Sequence, residues 1–448
     1  MTSSDDDLNL LDDLVKRACG AGADAADAIL ATGTSLSHDL RFGKTEKLER
    51  SEGRDLGLRV FVGQRQAIAS TSDTEDKALG ELVERAVDMA RSVPEDAYCG
   101  LAAAAELAQG EPPDLDTVDD AEPTAEALIE QARVAEDAAM AVDGVTNSEG
   151  ASASWSRSRI AMRASNGFGR AYAKSYRSVG VAVLAGEGLA MERDYDYASA
   201  VYGDDLDDPA AIGRNAGERA VRRLGARKAE TAQVPVVYEP RVAGSLLRHL
   251  AGAINGASIA RGSSFLKDKM DQAVLPAGVT VTDDPHRKRG LRSKPFDGEG
   301  IATQRRDLVA DGRLTTWLLD LATARQLKLR STGHASRGTS SPPGPGPTNL
   351  YMQAGKDSPA ELMADIKSGF YVTELIGMGV NGVTGDYSRG AAGFWIEDGK
   401  VGDPVSEVTV AGNLIEMFAH LTPADDLVFR YGTDAPTIRV DGMTVAGV

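Results

Sequence analysis

The sequence predicts an α+β protein of two main domains: an N-terminal α/β domain of hairpins and helices, and a C-terminal domain rich in antiparallel sheet. Three observations carry this. Apolar residues recur at three- and four-residue spacing within residues 79–90, 125–142 and 246–254, the signature of amphipathic helices. Between these stretches lie short alternating runs broken by the turn dipeptides Asn166-Gly167 and Asp311-Gly312, which join antiparallel strands. The chain of 448 residues is long enough for two or three cores. Boundaries are placed to give residues 1–121, 122–228 and 229–448 as N-terminal, central and C-terminal regions.

In order, residues 8–17 form a short amphipathic helix and residues 25–36 a strand. Residues 56–71 read as a hairpin turning at Gly63-Gln64-Arg65. Ser72 and Glu75 have capping-box spacing ahead of the helix with Leu79, Leu82, Val83 and Ala86 on one face. Residues 110–123, rich in Pro and acids, form a linker before the Ala-rich helix of residues 125–142. Four strands follow, at 153–164, 168–176, 178–185 and 189–201, with their tyrosines packing the sheet. The acidic run 204–208 is a solvated loop, and residues 209–224 form a helix. Beyond residue 269, strands are expected at 279–282, 298–303, 306–309 and 314–318, with residues 283–286 as a surface turn. Residues 331–348, with His334 and a Pro-Gly run, form a long loop, either a binding element or a spacer.

Composition narrows the function. A net charge of −18 argues against a nucleic-acid partner, which needs a basic surface. The acidic start, MTSSDDDLNLLDDL, lacks the basic region of a signal peptide, and no apolar run is long enough to span a membrane. Cys19 and Cys99 make neither a disulfide framework nor a metal-ligand spacing, so a cytoplasmic protein is expected.

The stretch at 235–269 couples a short strand, Val236 to Tyr238, to a helix carrying Arg248 and His249. A zinc peptidase helix needs a second histidine on the same face and a carboxylate beside the first. Here Ala253 stands one turn on from His249, and no acid lies between Arg241 and Lys267. A lone imidazole cannot hold zinc, so residue types alone favour a structural helix.

Local wording then converges on a family. Gly57-Leu58-Arg59-Val60-Phe61-Val62, Ala164-Ser165-Asn166-Gly167-Phe168 and Arg261-Gly262-Ser263-Ser264-Phe265-Leu266 are joined by Pro347-Thr348-Asn349-Leu350-Tyr351 and Thr384-Gly385-Asp386-Tyr387-Ser388-Arg389-Gly390. Ile396-Glu397-Asp398-Gly399-Lys400, Val410-Ala411-Gly412-Asn413-Leu414 and Ala435-Pro436-Thr437-Ile438-Arg439-Val440 complete the set. Taken together these resemble the TldD/PmbA family, also called the modulator of DNA gyrase family, and its PmbA/TldE-type branch. The resemblance implies a metalloprotease system of two related subunits that cleaves unfolded or extended peptides. It implies a TldD-type paralogue as heterodimer partner, bearing a His-Glu-x-x-x-His helix and a C-terminal cysteine as ligands of a zinc-type metal.

Carried onto this chain, the first histidine position falls on Arg248, the glutamate on His249 and the second histidine on Ala253. Residues 431–434 hold no cysteine. The expectation is a subunit with no catalytic or metal residues and no cofactor of its own, which helps to form the substrate compartment. A long antiparallel sheet can pair with extended peptide by strand addition, and Asn349, Gly385, Ser388 and Gly390 are the candidate substrate or partner contacts. Two other readings stay open. One is an independent metallopeptidase using His38, His286, His334 or His420, and the other is a homodimeric peptide-binding scaffold.

Overall fold

The computed structural model describes residues 4–447. Its N-terminal part comprises α1 (Ser4–Gly20), β1 (Ala25–Arg41), β2 (Lys44–Val62), β3 (Arg65–Thr71), α2 (Asp76–Ser92), α3 (Ala125–Met140), β4 (Val145–Ala164), β5 (Gly169–Ala185), β6 (Glu192–Ala200) and α4 (Pro209–Arg222). All six strands form one antiparallel sheet in the order β3-β2-β1-β4-β5-β6. Because β1 pairs with β4, the regions on either side of residue 121 share a sheet and constitute one structural unit.

Strand alternation divides this sheet into two faces. Ala26, Ala28, Leu30, Leu36 and Leu40 of β1 lie on the same face, the first three under α1 and α2 and the last two under α3 and α4. Four helices therefore cover one face side by side. The opposite face carries Ser35 opposite Ser156, Ser156 opposite Tyr176, and Ser178 opposite Ser199, and it turns toward the C-terminal domain.

The C-terminal part begins with β7 (Ala232–Tyr238), α5 (Pro240–Ala253), α6 (Gly256–Ala260), β8 (Val281–Asp283), β9 (Arg306–Ala310), β10 (Arg313–Leu314) and α7 (Leu321–Leu327). It continues through β11 (Ala335–Ser336), β12 (Gly344–Pro345), β13 (Leu350–Met352), α8 (Pro359–Met363), β14 (Ser368–Ile376), β15 (Asp386–Glu397) and β16 (Lys400–Asn413). It closes with α9 (Leu414–Ala419), β17 (Leu421–Pro423), β18 (Thr433–Asp434) and β19 (Ile438–Ala446). One sheet runs β16-β15-β14-β7-β19-β17, and β16 pairs again with β19, so that five strands close on themselves around the largest apolar core. A second sheet runs β10-β9-β8-β13-β18. Pairing is antiparallel except for β7 with β14 and β13 with β18. No helix among the described residues is long and apolar enough to cross a membrane.

Several elements depart from expectation. The first strand runs to Arg41 and turns through Phe42 and Gly43, both at positive φ (51° and 66°), into a β2 that starts twelve residues before the predicted hairpin. The outer half of β2 is exposed and polar, so it shows no alternation to read. The Ser72–Glu75 capping box does not form. Glu75 is the N-cap without a side-chain bond, and its N–H is taken by the Asp73 carboxylate at 2.9 Å. Residues 168–176 and 178–185 belong to one strand, β5. Residues 298–303 are not a strand but a turn around Asp297, whose Oδ1 accepts the N–H of Glu299 and Ile301. The strand at 314–318 shrinks to β10, and the turn at 283–286 is anchored inside, with Asp283 accepting from the Thr348 N–H and hydroxyl at 2.6 Å each.

Charge and close packing both join the two domains. Asp27 on β1 is buried and accepts from Arg59 on β2 and, at 2.6 Å, from Arg337 in the loop after α7. Phe168 and Phe296 meet edge to face at 5.1 Å. Gly57 is required here, since a Cβ would lie 2.0 Å from the Thr339 carbonyl oxygen. That contact explains a glycine in the middle of a strand.

Candidate functional site

The site is built on α5 and the sheet surface facing it. Pro240 opens the helix at its first turn, where a missing N–H costs nothing. Ala243, Leu246, Leu247 and Leu250 face the core, which leaves Arg248 exposed and His249 half-buried. The His249 ring meets Tyr387 edge to face, centroids 5.9 Å apart at 81°. Its Nε2 is buried without a hydrogen-bond partner. Burial, reinforced by the guanidinium groups of Arg389 and Arg248, lowers the His249 pKa to about 4. The imidazole is therefore neutral at physiological pH.

This donor set does not fit a zinc ion. One imidazole nitrogen faces two guanidinium groups, Ala253 offers no lone pair, and cations beside a dication are repelled. Among the described residues, no group of three His, Cys, Asp or Glu is gathered in metal-binding geometry. The other histidines are dispersed in separate bonds. His38 bonds Thr45 at 3.0 Å, His286 bonds Thr303 at 3.0 Å, His334 bonds Thr332 at 2.8 Å, and His420 lies at the end of α9.

The 431–434 segment does reach α5, since the Thr433 carbonyl abuts Gly244. Tyr431 packs on Tyr197 of β6 with centroids 5.0 Å apart, and Tyr197 stacks on Tyr195. Tyr176, Tyr195 and Tyr197 thus line the sheet face away from the helices, with Tyr176 40% exposed and bonded to Ser199, while Tyr172 packs against Phe296. Trp155 alone of the group packs under the helices. At the β6 edge, Arg241 donates to the Tyr195 carbonyl at 2.9 Å, so this part of the edge is closed to strand addition.

Of the predicted contact residues, Asn349 is buried and fully engaged. It accepts from the Arg292 N–H and donates to the Asp284 carbonyl and the Ser293 hydroxyl. Gly385 is a buried turn residue at φ 83°, and its carbonyl accepts from the Leu414 N–H. Gly390 sits within β15, between Ile376 and Thr409. Ser388 is exposed, with its N–H bonded to the Gly379 carbonyl at 2.7 Å. The structure brings the Gly385–Gly390 strand beside His249 and leaves Asn349 on the 284–293 loop. Sequence reasoning missed Tyr387 and Arg389 as neighbours of His249, although both lie in the quoted Thr384–Gly390 wording. Tyr197 and Tyr431 had no such signal.

Fold and site together define an α+β chain of two packed domains in which α5, β15 and the 431–434 segment meet around His249. The PmbA/TldA metallopeptidase domain 1 model matches residues 26–90, the central-domain model 119–224 and the C-terminal-domain model 231–447, and the chain belongs to this PmbA/TldD metallopeptidase family. It is 37% identical over 428 residues to the metalloprotease PmbA of Escherichia coli O157:H7, covering 95% of this chain and 93% of that one. It is 36% identical over 436 residues to the Haemophilus influenzae PmbA homologue, covering 97% and 94%. A Bacteroides thetaiotaomicron crystal structure, described as a candidate modulator of DNA gyrase, superposes with TM-score 0.91 at 28% identity over 99% of both chains. The TldE structure from Thermococcus kodakarensis shares the fold, with TM-score 0.87 at 19% identity over 98% of this chain and 100% of that one.

The buried imidazole makes stability pH-dependent. Its folded pKa lies below the unfolded value of about 6.5, so the stabilisation it allows is present above that pH and is lost as pH falls toward about 4. His249→Phe is expected to remove this acid-side loss. Melting temperatures of wild type and variant from pH 7.5 to 4.5 should diverge on the acid side, and parallel curves would refute the assignment.

Proposed function

We propose that this chain is the subunit of a two-chain peptidase that carries no metal site of its own. It builds one wall of the compartment in which a His-Glu-x-x-x-His paralogue cleaves extended peptide. The observation that carries this is α5 itself: its helix, its neighbour β15 and the 431–434 segment are assembled as for a site, yet Arg248, His249 and Ala253 replace the donors. Support comes from the open sheet face, whose serine hydroxyls and tyrosines can contact peptide main chain with little side-chain selectivity. This chain's part is to bind and orient; the bond-breaking chemistry belongs to the partner's metal.

Co-expression with the ligand-bearing paralogue of the same genome tests this. The expected result is a co-purifying complex that hydrolyses unfolded peptide, loses activity to a chelator, and outpaces the paralogue alone by at least about tenfold, a difference of about 1.4 kcal/mol in barrier. Absence of a complex with unchanged paralogue activity would sink the proposal and leave the homodimeric scaffold, which sedimentation of the chain alone would then reveal.

A further inference from the structure

Residues 286–294, HRKRGLRSK, form a cation-rich run in a chain of net charge −18. Part of it is neutralised at home. Lys288 pairs with Asp114 at 3.3 Å, Arg289 with Asp116 at 2.7 Å, and Arg287 lies over the Phe429 ring. Arg292 and Lys294 form no ion pair among the described residues; the Lys294 Nζ finds the Ala335 carbonyl at 2.9 Å. Both line a cavity of about 370 Å³ between the open sheet face and the C-terminal domain, and Lys174 of β5 enters it from the sheet side. The cavity is large enough for part of a ligand chain.

Arg248 of α5 and Arg389 of β15 lie within electrostatic reach of this group. Arg389 and Arg248 both depress His249, Arg292 depresses Arg248 and Lys174, and Lys174 depresses Lys294, so each is electrostatic neighbour to the next. None of the five forms an ion pair with a carboxylate among the described residues. Asp297, at the cavity wall, has its oxygens taken by the N–H groups of Glu299, Ile301 and Ala335, and burial favours its neutral form. The Lys294 ammonium has the Asp297 and Asp283 carboxyls as electrostatic counterparts, while Lys174, Arg292, Arg248 and Arg389 gather without an ion pair among the described residues, a cost in free energy that a bound anion would offset. The apolar Met162, Tyr172 and Phe296 in the same wall suit the rest of a peptide chain better than a free inorganic ion.

From this geometry we infer that the cavity lined by Lys174, Arg292 and Lys294 binds an extended peptide bearing acidic side chains, whose chain continues toward Arg248 and Arg389. The inference deepens the proposed function by naming its substrate class, and it rests on that reading. The acidic outer surface repels such a peptide at long range, so binding depends on these five groups at short range.

The test is fluorescence anisotropy on the full chain alone, with labelled twelve-residue peptides: glutamate-rich and C-terminally amidated, its glutamine counterpart amidated, and the glutamine peptide with a free C-terminus. A single-stranded DNA of equal charge is the fourth probe. The acidic peptide is expected to bind at least about tenfold more tightly than the amidated glutamine peptide and to weaken as salt rises from 50 to 300 mM. Arg248→Gln with Arg292→Gln should remove that preference with an unchanged melting temperature, and Lys174→Gln singly should reduce it. Equal binding of the two amidated peptides, or an unaffected double variant, overturns the inference. So does a free-acid glutamine peptide that matches the acidic one, which would assign the site to the chain terminus, or DNA that binds as tightly. Because no partner and no cleavage enter this assay, its failure leaves the co-expression result standing, and the converse holds.

Discussion

Asp27→Ala is expected to destabilise the protein by about 3–5 kcal/mol, because it strands two guanidinium groups in a buried site. Asp27 is 2% exposed and is the carboxylate shared by Arg59 and Arg337, one from each domain. Glu299 lies 3.7 Å from Arg59, and burial raises its pKa to about 8. A raised carboxyl pKa means that Glu299 contributes stability below its unfolded value, which is lost as pH rises through about 8. In the variant, the unopposed Arg59 draws Glu299 toward ionisation, so the deficit should be smaller at pH 9 than at pH 6. Urea unfolding of both proteins at the two pH values measures this. A deficit below about 1 kcal/mol at pH 6 would mean that the pair is not what holds the domains together.

Phe370→Ala should cost a comparable 3–5 kcal/mol, of the order found for emptying a fully buried aromatic site. Phe370 is 0% exposed on β14, opposite Val236 of β7, and its ring lies 6.3 Å from that of Trp395. The three tryptophans make the two domains separately visible, since Trp155 lies under the N-terminal helices while Trp317 and Trp395 lie in the C-terminal core. With single-tryptophan versions, the C-terminal probes should unfold at lower urea in the variant. If the domains unfold as one unit, Trp155 will shift with them, and if not it will stay. No shift in Trp395 would contradict the packing described for β14.

The two predictions differ in what they probe, and that difference bears on the site. The Asp27 cluster holds the sheet surface against the 337–341 loop, and the cation-lined cleft lies between the same two parts. Phe370 acts within the strands that carry Tyr238 on one side and Tyr387 on the other, the floor beneath His249. Loss of binding without loss of C-terminal stability would therefore point to the joint, and loss of both to the floor.

Much of the molecule could be read locally. The helical stripes at 79–90 and 125–142, the α5 helix and the Asp311-Gly312 turn depend on neighbours within one turn or one hairpin, and each appears where expected. Arg248, His249 and Ala253 could be placed on one helix from spacing alone, because they lie within six residues of one another. The outer half of β2 was not, since an exposed strand has no apolar alternation. The tyrosines were legible as sheet-packing residues but not as neighbours of Tyr431 and Phe296, because composition does not say what will meet a sheet face.

What the sequence by itself determined was the family and the periodic elements. The tertiary structure alone decided that strands more than a hundred residues apart would form one sheet, that Tyr197 would meet Tyr431, and that Lys174 would converge with Arg292. Local spacing sets which face of a helix or strand is apolar. Which distant face it meets depends on pairings summed over the whole chain, and there Lys174, Arg292 and Lys294 come to line one cavity.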